Sequence, residues 1–171
     1  MFELNAVNLQ RLVEATGGSG RRVKVLWQDS ESLAFVARGR EYRSEFHVDP
    51  SDETMLMVRG DMDLHYRTPE GERRVTVIRE GEIIHCPAGT PHSPRFAPDA
   101  WVLVLERKRR PDEQDRFLWF CDRCDAKVYE AVFSVRDYRE DPVSRVYEQF
   151  YASEANRTCA RCGYMVPRPP G

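Results

Sequence analysis

Two segments limit what this chain can fold into more than anything else in it. The first, Gly39 to Gly60, places His47 six residues before Glu53, and Glu53 seven before Gly60. The second, Gly81 to His92, sets Pro87 six residues after Gly81 and His92 three after Gly89. Glycines permit tight turns and proline stiffens the turn that presents a ligand. Together the segments offer two imidazoles and one carboxylate, a set that holds mononuclear non-haem iron while leaving coordination positions open. A metal site for oxygen chemistry is the first expectation.

The surrounding text reads as short strands. Val23–Trp27 and Leu33–Ala37 flank a polar turn, and Tyr42–His47 alternates. Thr54–Val58, Met62–Tyr66, Arg73–Ile78, Glu82–His85 and Trp101–Glu106 follow, with Thr68-Pro-Glu-Gly71 as a hairpin turn. Strands at this spacing argue for a β-sandwich or small barrel. Residues 5–16 read as a packing helix with Val7, Leu9, Leu12 and Val13 on its apolar stripe, ended by Gly17-Gly18. Arg107 to Arg116 reads as a solvated, charged connector, Lys127–Val135 as a strand, Pro142–Tyr151 as a helix, and Pro167–Gly171 as a frayed tail. Residues 1–108 are expected to form the catalytic domain and 109–171 an extension.

A net charge of -2 gives no reason to expect nucleic acid or an anionic membrane as partner. The N-terminus lacks the basic start and apolar core of a signal peptide, so a cytoplasmic protein is expected. Reducing compartments rarely keep disulfides. The pairs Cys121/Cys124 and Cys159/Cys162 therefore read as four thiolates of one closed, tetrahedral site for zinc or iron. Such a site staples the tail and leaves no position for catalysis. Cys86 reads as a small buried apolar residue, and His65 and His85 as packing or surface residues.

The spacings Gly39–His47–Glu53–Gly60 and Gly81–Pro87–Gly89–His92 are the two motifs of the cupin superfamily, which the chain resembles over residues 22–108. Where the first cupin motif usually has a histidine two places before His47, this chain has Glu45. Glu45 and His47 share a strand face. With Glu45 as ligand the site has two acids and two histidines; with Glu45 turned aside it has three ligands, the favoured set. Val25–Ser30, Tyr42–Pro50, Pro91–Pro94, Leu105–Arg107 and Phe150–Glu154 further resemble the 3-hydroxyanthranilate 3,4-dioxygenases, in the form with a C-terminal four-cysteine metal site. That family also carries an acid at the position of Glu45.

The resemblance implies an all-β-dominated cupin, a double-stranded β-helix or jelly-roll barrel. It adds a short N-terminal helix and a small rubredoxin-like metal-binding extension. It implies catalytic Fe(II) on His47, Glu53 and His92, and a second iron or zinc on Cys121, Cys124, Cys159 and Cys162. Arg43, Glu53, Arg95 and Glu106 would line the substrate, with Arg95 pairing the carboxylate and Glu106 helping to remove a proton. The family's carboxylate-binding arginine falls four residues after the second histidine, where this chain has Phe96; a one-residue gap after Pro94 aligns Arg95 with it. Without the gap, strand alternation turns Arg95 to the other face. The implied reaction converts 3-hydroxyanthranilate and O2 to 2-amino-3-carboxymuconate semialdehyde, the quinolinate precursor, in a homodimer. The alternatives are the same cleavage of another o-aminophenol or catechol, and a non-enzymatic cupin that senses a metal or ligand.

Overall fold

A computed structural model describes residues 4–39, 43–138 and 142–168. The chain opens with helix α1 (Leu9–Gly18) and continues through β1 (Val23–Trp27), β2 (Ser32–Ala37), β3 (Phe46–Val48), β4 (Glu53–Arg59), β5 (Met62–Arg67) and β6 (Arg73–Ile78). Then come β7 (Ile83–Cys86), β8 (His92–Phe96), β9 (Trp101–Arg107), β10 (Asp115–Phe120), β11 (Lys127–Phe133), α2 (Pro142–Ala152) and α3 (Glu154–Arg157). The strands form a five-stranded sheet in the order β1-β2-β9-β4-β7 and a six-stranded sheet in the order β11-β10-β3-β8-β5-β6. The result is the expected all-β, cupin-type architecture with short helices.

Alternation along the strands builds the core. In β4, Glu53, Met55 and Met57 are buried while Thr54 and Leu56 are less so. Met55, Met57, Met62, Leu64, Ile78, Val102 and Val104 cluster between the sheets. The outer face of the five-stranded sheet is covered by α1, whose Val13 packs with Val36, Val58 and Trp101. This helix starts at Leu9 rather than residue 5, because Asn8 caps it by accepting the Arg11 N–H at 3.0 Å. It runs through Gly17-Gly18, and the chain turns away at Gly20, whose φ of +74° suits glycine.

Two strands go unread in the sequence. β8 contains Pro94, which argues against a central strand. The proline is accommodated because β3 meets β8 only at His47↔His92, so beyond residue 92 that edge has no partner needing an N–H. β10 lies where the sequence reads as connector and lead-in; it pairs with both β3 and β11. The six-stranded sheet thus crosses the expected division at residue 108. α2 packs over β10 and β11 through Trp119, whose ring stacks on Phe150 at 4.3 Å. The expected Tyr42–His47 strand begins outside the described residues and is observed as Phe46–Val48; the last three residues of the tail, 169–171, also lie outside them. Among the described residues no helix is long and apolar enough to cross a membrane.

Candidate metal centre

Register brings the two histidines together. His47 on β3 and His92 on β8 are direct cross-strand partners. Glu53, the first residue of β4, faces them from the other sheet. His92 Nε2 lies 3.1 Å from Glu53 Oε2, and His47 Nδ1 lies 3.6 Å from Glu53 Oε1. Each ring is oriented through its other nitrogen. His92 Nδ1 donates to the Thr90 carbonyl at 3.0 Å, with the buried Cys86 Sγ at 3.6 Å. His47 Nε2 donates to Asp115 Oδ1 at 2.7 Å. A carbonyl or carboxylate on the far nitrogen fixes tautomer and direction, as in metal-bound histidines.

The charge around this group is lopsided. Asp49, Glu106 and Asp115 converge on Arg109, whose guanidinium donates to them at 2.7, 2.8 and 2.7 Å and to Ser51 Oγ at 3.0 Å. The Arg109 side chain is 3% exposed and Asp115 is buried, which corrects for these two residues the reading of 107–116 as solvated; Lys108, Arg110, Pro111, Asp112, Gln114 and Arg116 are exposed as expected. Burial raises Glu106 well above the usual carboxylate range, and the neighbouring Asp49 and Glu53 carboxylates push it further. Burial also works to raise Asp49, but hydrogen bonding with Glu106 and Glu53 and the Arg109 charge hold it well below that range. Full burial acts to lower His92, yet the facing Glu53 carboxylate raises it well above the ordinary imidazole range.

This geometry provides a test of fit for a metal. Three donor groups combine His, Asp and Glu oxygens and nitrogens within 4.8 Å: His47/Glu53/His92, His47/Asp49/Asp115 and Asp49/Glu53/Glu106. Arg109 already neutralises acids of the second and third. His47/Glu53/His92 alone joins two imidazoles to a carboxylate, and its excess negative surroundings draw a proton onto His92 where a cation would serve. The donor set therefore fits a divalent transition metal. Glu45 belongs to none of these groups. His65 is half-buried opposite Ser93, and His85 is exposed; neither joins a group.

The group opens into a cavity of about 810 Å³ between the sheets. Arg43, Glu45, Glu106, Arg109, Asp115 and Tyr147 line it beside the apolar Phe35, Met55, Pro94, Phe96, Val104 and Phe117. Arg43 Nε sits 2.6 Å from Glu45 Oε1. Arg95 is elsewhere: it is exposed, opposite Asp63, on the other side of β8. His92, Pro94 and Phe96 alternate inward, so Phe96 faces the cavity where a carboxylate anchor is expected. Its ring lies against Gly39, where a Cβ would come within 2.2 Å of Phe96 Cδ2. Sequence reasoning missed Asp49, Arg109, Asp115 and Tyr147. The alternation Asp115, Phe117, Trp119 is the one local signal that could have found Asp115.

The cysteines meet as expected. Cys121 Sγ and Cys162 Sγ are 3.5 Å apart, as are Cys124 Sγ and Cys159 Sγ, and all four form one group. The two halves match. Cys121 N–H donates to the Ala126 carbonyl and Asp125 N–H to the Cys121 carbonyl, while Cys159 N–H donates to the Tyr164 carbonyl and Gly163 N–H to the Cys159 carbonyl. Asp125 and Gly163 close these turns at φ of +60° and +72°. Two such turns facing one another present four sulfurs to one point, which suits a closed tetrahedral ion.

Comparison with known proteins agrees with this geometry. Residues 1–151 match the family model described as 3-hydroxyanthranilic acid dioxygenase. A 3-hydroxyanthranilate 3,4-dioxygenase of Bacillus thuringiensis is 37% identical over 148 residues, covering 86% of this chain and 82% of that one. One from Xanthomonas euvesicatoria is 38% identical over 146 residues, covering 85% and 81%. Among solved structures, a Bacillus halodurans protein superposes with a TM-score of 0.50 at 14% identity over 64% of this chain and 85% of that one, a likeness of fold alone. A cupin-2 domain protein of Shewanella frigidimarina gives 0.49 at 12% identity over 60% and 95%. With half-buried His47, buried His92 and a glutamate at the cupin spacing, and relatives alike over most of both lengths, the chain belongs to the 3-hydroxyanthranilic acid dioxygenase family.

Proposed function

We propose that this protein is an Fe(II)-dependent dioxygenase that opens the ring of 3-hydroxyanthranilate to 2-amino-3-carboxymuconate semialdehyde. The observation that carries the reading is the convergence of His47, Glu53 and His92 at the cavity, with the open side toward an apolar wall sized for an aromatic ring. These three residues would hold the iron. When bound, iron supplies the one-electron chemistry that lets O2 react with a closed-shell ring, together with positions for the ring's hydroxyl and amine. The chain's own residues do the rest. Phe35, Met55 and Phe96 exclude water and hold the ring. Glu106, paired with Arg109 and lining the cavity, would face the ring hydroxyl. With a cation held by His47, Glu53 and His92, the ionised form of Glu106 would be favoured, and Glu106 would take the hydroxyl proton. Arg43 reaches the ring's carboxylate, because Arg95 does not line this cavity.

The test is anaerobic loading with Fe(II), addition of 3-hydroxyanthranilate, then air, with oxygen uptake and the semialdehyde absorbance followed together. No uptake by iron-loaded protein would sink the reading. One observation favours a second reading, cleavage of a different o-aminophenol or catechol: Phe96 faces the cavity and Arg95 is outside it. Uptake confined to ring substrates without the carboxylate selects that alternative. The four-cysteine group is proposed to hold a structural zinc or iron, and the assembly to be a cytoplasmic homodimer whose mass sedimentation velocity would measure.

A further inference from the structure

Helix α2 enters the metal cavity from outside the motif that supplies the ligands. The Tyr147 hydroxyl donates to Glu45 Oε2. One turn on, the Tyr151 hydroxyl meets Ser44 Oγ at 2.7 Å, and Trp119 Nε1 donates to the same Ser44 Oγ at 3.0 Å. Residues 44 and 45 are thus held from behind by side chains of the cysteine-bound extension. Glu45 is fully buried, and its other oxygen faces Arg43 Nε at 2.6 Å. A buried carboxylate is costly unless it is paired; here Tyr147 hydrogen-bonds one oxygen, and Arg43 faces the other as an ion pair without hydrogen-bond geometry. Burial keeps the phenol protonated, and the Glu45 charge reinforces this, so Tyr147 is a donor over the working pH range. The terminal nitrogens of Arg43 have no acceptor among the described residues, and Arg43 lines the cavity. An arginine carries several rotatable bonds, and pairing with a buried carboxylate held in place by Tyr147 restricts the directions its guanidinium takes.

We propose that Tyr147 and Glu45 are positioning residues that lock Arg43 into the cavity wall and thereby set selectivity for aromatic substrates bearing a ring carboxylate. The inference rests on the role given to Arg43 in the proposed function. It makes the extension part of substrate recognition as well as a staple. Arg95 does not line this cavity; it meets Arg43 only at a separate small pocket on the other side of β8.

The experiment is anaerobic calorimetric titration of Fe(II)-loaded protein with 3-hydroxyanthranilate and with 2-aminophenol, which lacks the carboxylate. Tyr147→Phe removes only the hydroxyl and should weaken 3-hydroxyanthranilate about tenfold, or about 1.4 kcal/mol. The loss should exceed that for 2-aminophenol by about fivefold or more. Glu45→Gln should act in the same direction, and the double variant should lose little beyond the larger single loss, as members of one unit do. A merely structural contact would weaken both ligands alike; that result, or no change with either ligand, overturns the proposal. Thermal melts accompany each titration, and loss of fold in both single variants would likewise assign the contacts to structure and overturn it. Wild-type protein that prefers 3-hydroxyanthranilate but takes up no oxygen in air refutes the proposed reaction and leaves the relay standing. Equal affinity of wild-type protein for the two ligands removes Arg43 as anchor and the relay with it.

Discussion

Replacing Arg109 with methionine leaves Asp49, Glu106 and Asp115 without the guanidinium that joins them at 2.7–2.8 Å. Removing one partner from a buried ionic cluster costs about 3–5 kcal/mol, and for a domain of this size each kcal/mol moves Tm by about 2–4 °C, a fall of about 6–20 °C. The pH dependence is the sharper part. In the parent protein the folded pKa values of Asp49 and Asp115 are depressed. Their contribution is therefore present above the unfolded carboxylate value and is lost only as pH falls through the lower folded values, so it is flat from pH 5.5 to 8. Glu106 is already raised in the parent; without Arg109 it rises further, and burial pushes Asp49 and Asp115 upward once the charge that helps hold them down is gone. Their native state then binds more protons than the unfolded state, and stability declines as pH rises. Melts of metal-free Arg109→Met and parent protein at pH 5.5 and 8 should show a Tm gap that widens toward pH 8. A gap of under about 3 °C that stays constant with pH would refute the argument that Arg109 is the counter-ion of this cluster.

Asp115→Asn weakens the anchor on His47 Nε2 and should lower metal affinity about 10–100-fold, read by competition with a chelator; unchanged affinity removes Asp115 from the site. Gly39→Ala places a methyl against the Phe96 ring and should cost about 1–3 kcal/mol by overpacking, read as a lower denaturation midpoint and relieved by Phe96→Ala in the same chain. No relief by the second change would show that Gly39 is needed for another reason. Cys124→Ser should lower the metal content of the isolated protein from two ions per chain to one and lower Tm, with ligand binding at the first site still measurable by calorimetry; two ions retained would refute the single closed site. Because Glu53 raises His92, metal binding to the metal-free protein should release a proton and tighten as pH rises through neutrality. Titrations in buffers of differing ionisation enthalpy count that proton.

The group of His47, Glu53 and His92 was legible in the sequence because turn residues stand at fixed offsets from it: Gly60, Gly81 and Gly89 all take positive φ, a demand that survives in the text. The strands were legible where apolar residues alternate and were not where a local signal pointed the other way. Pro94 hid β8. Charges hid β10, because a run such as Arg109 to Arg116 looks solvated until its strand is placed beside β3. Arg109 and Asp115 are buried by partners 60 and more residues away, among them Asp49 and His47, and no local pattern records such a meeting. The α2 helix was visible in its pattern, but its docking on residues 44 and 45 was not, since Tyr147 and Tyr151 look like ordinary members of an amphipathic stripe.

Residues 95 and 96 turn on a difference of one position. β8 begins with His92 facing inward, and a strand reverses direction at every step. Pro94 and Phe96 must then face the cavity and Arg95 must face away, as the pairing of Arg95 with Asp63 in the neighbouring strand records. One residue inserted after Pro94 would turn an arginine inward and expel the aromatic ring. The present register fixes the ring against Gly39 and leaves that wall apolar. If Arg43 anchors the carboxylate as proposed, charge recognition comes from the segment just before β3, where Arg43 Nε faces Glu45. On the proposed reading, one short stretch therefore sets two properties: His47 and Glu53 decide what metal chemistry is open to the protein, and Arg43 with Glu45 decides which rings can reach it.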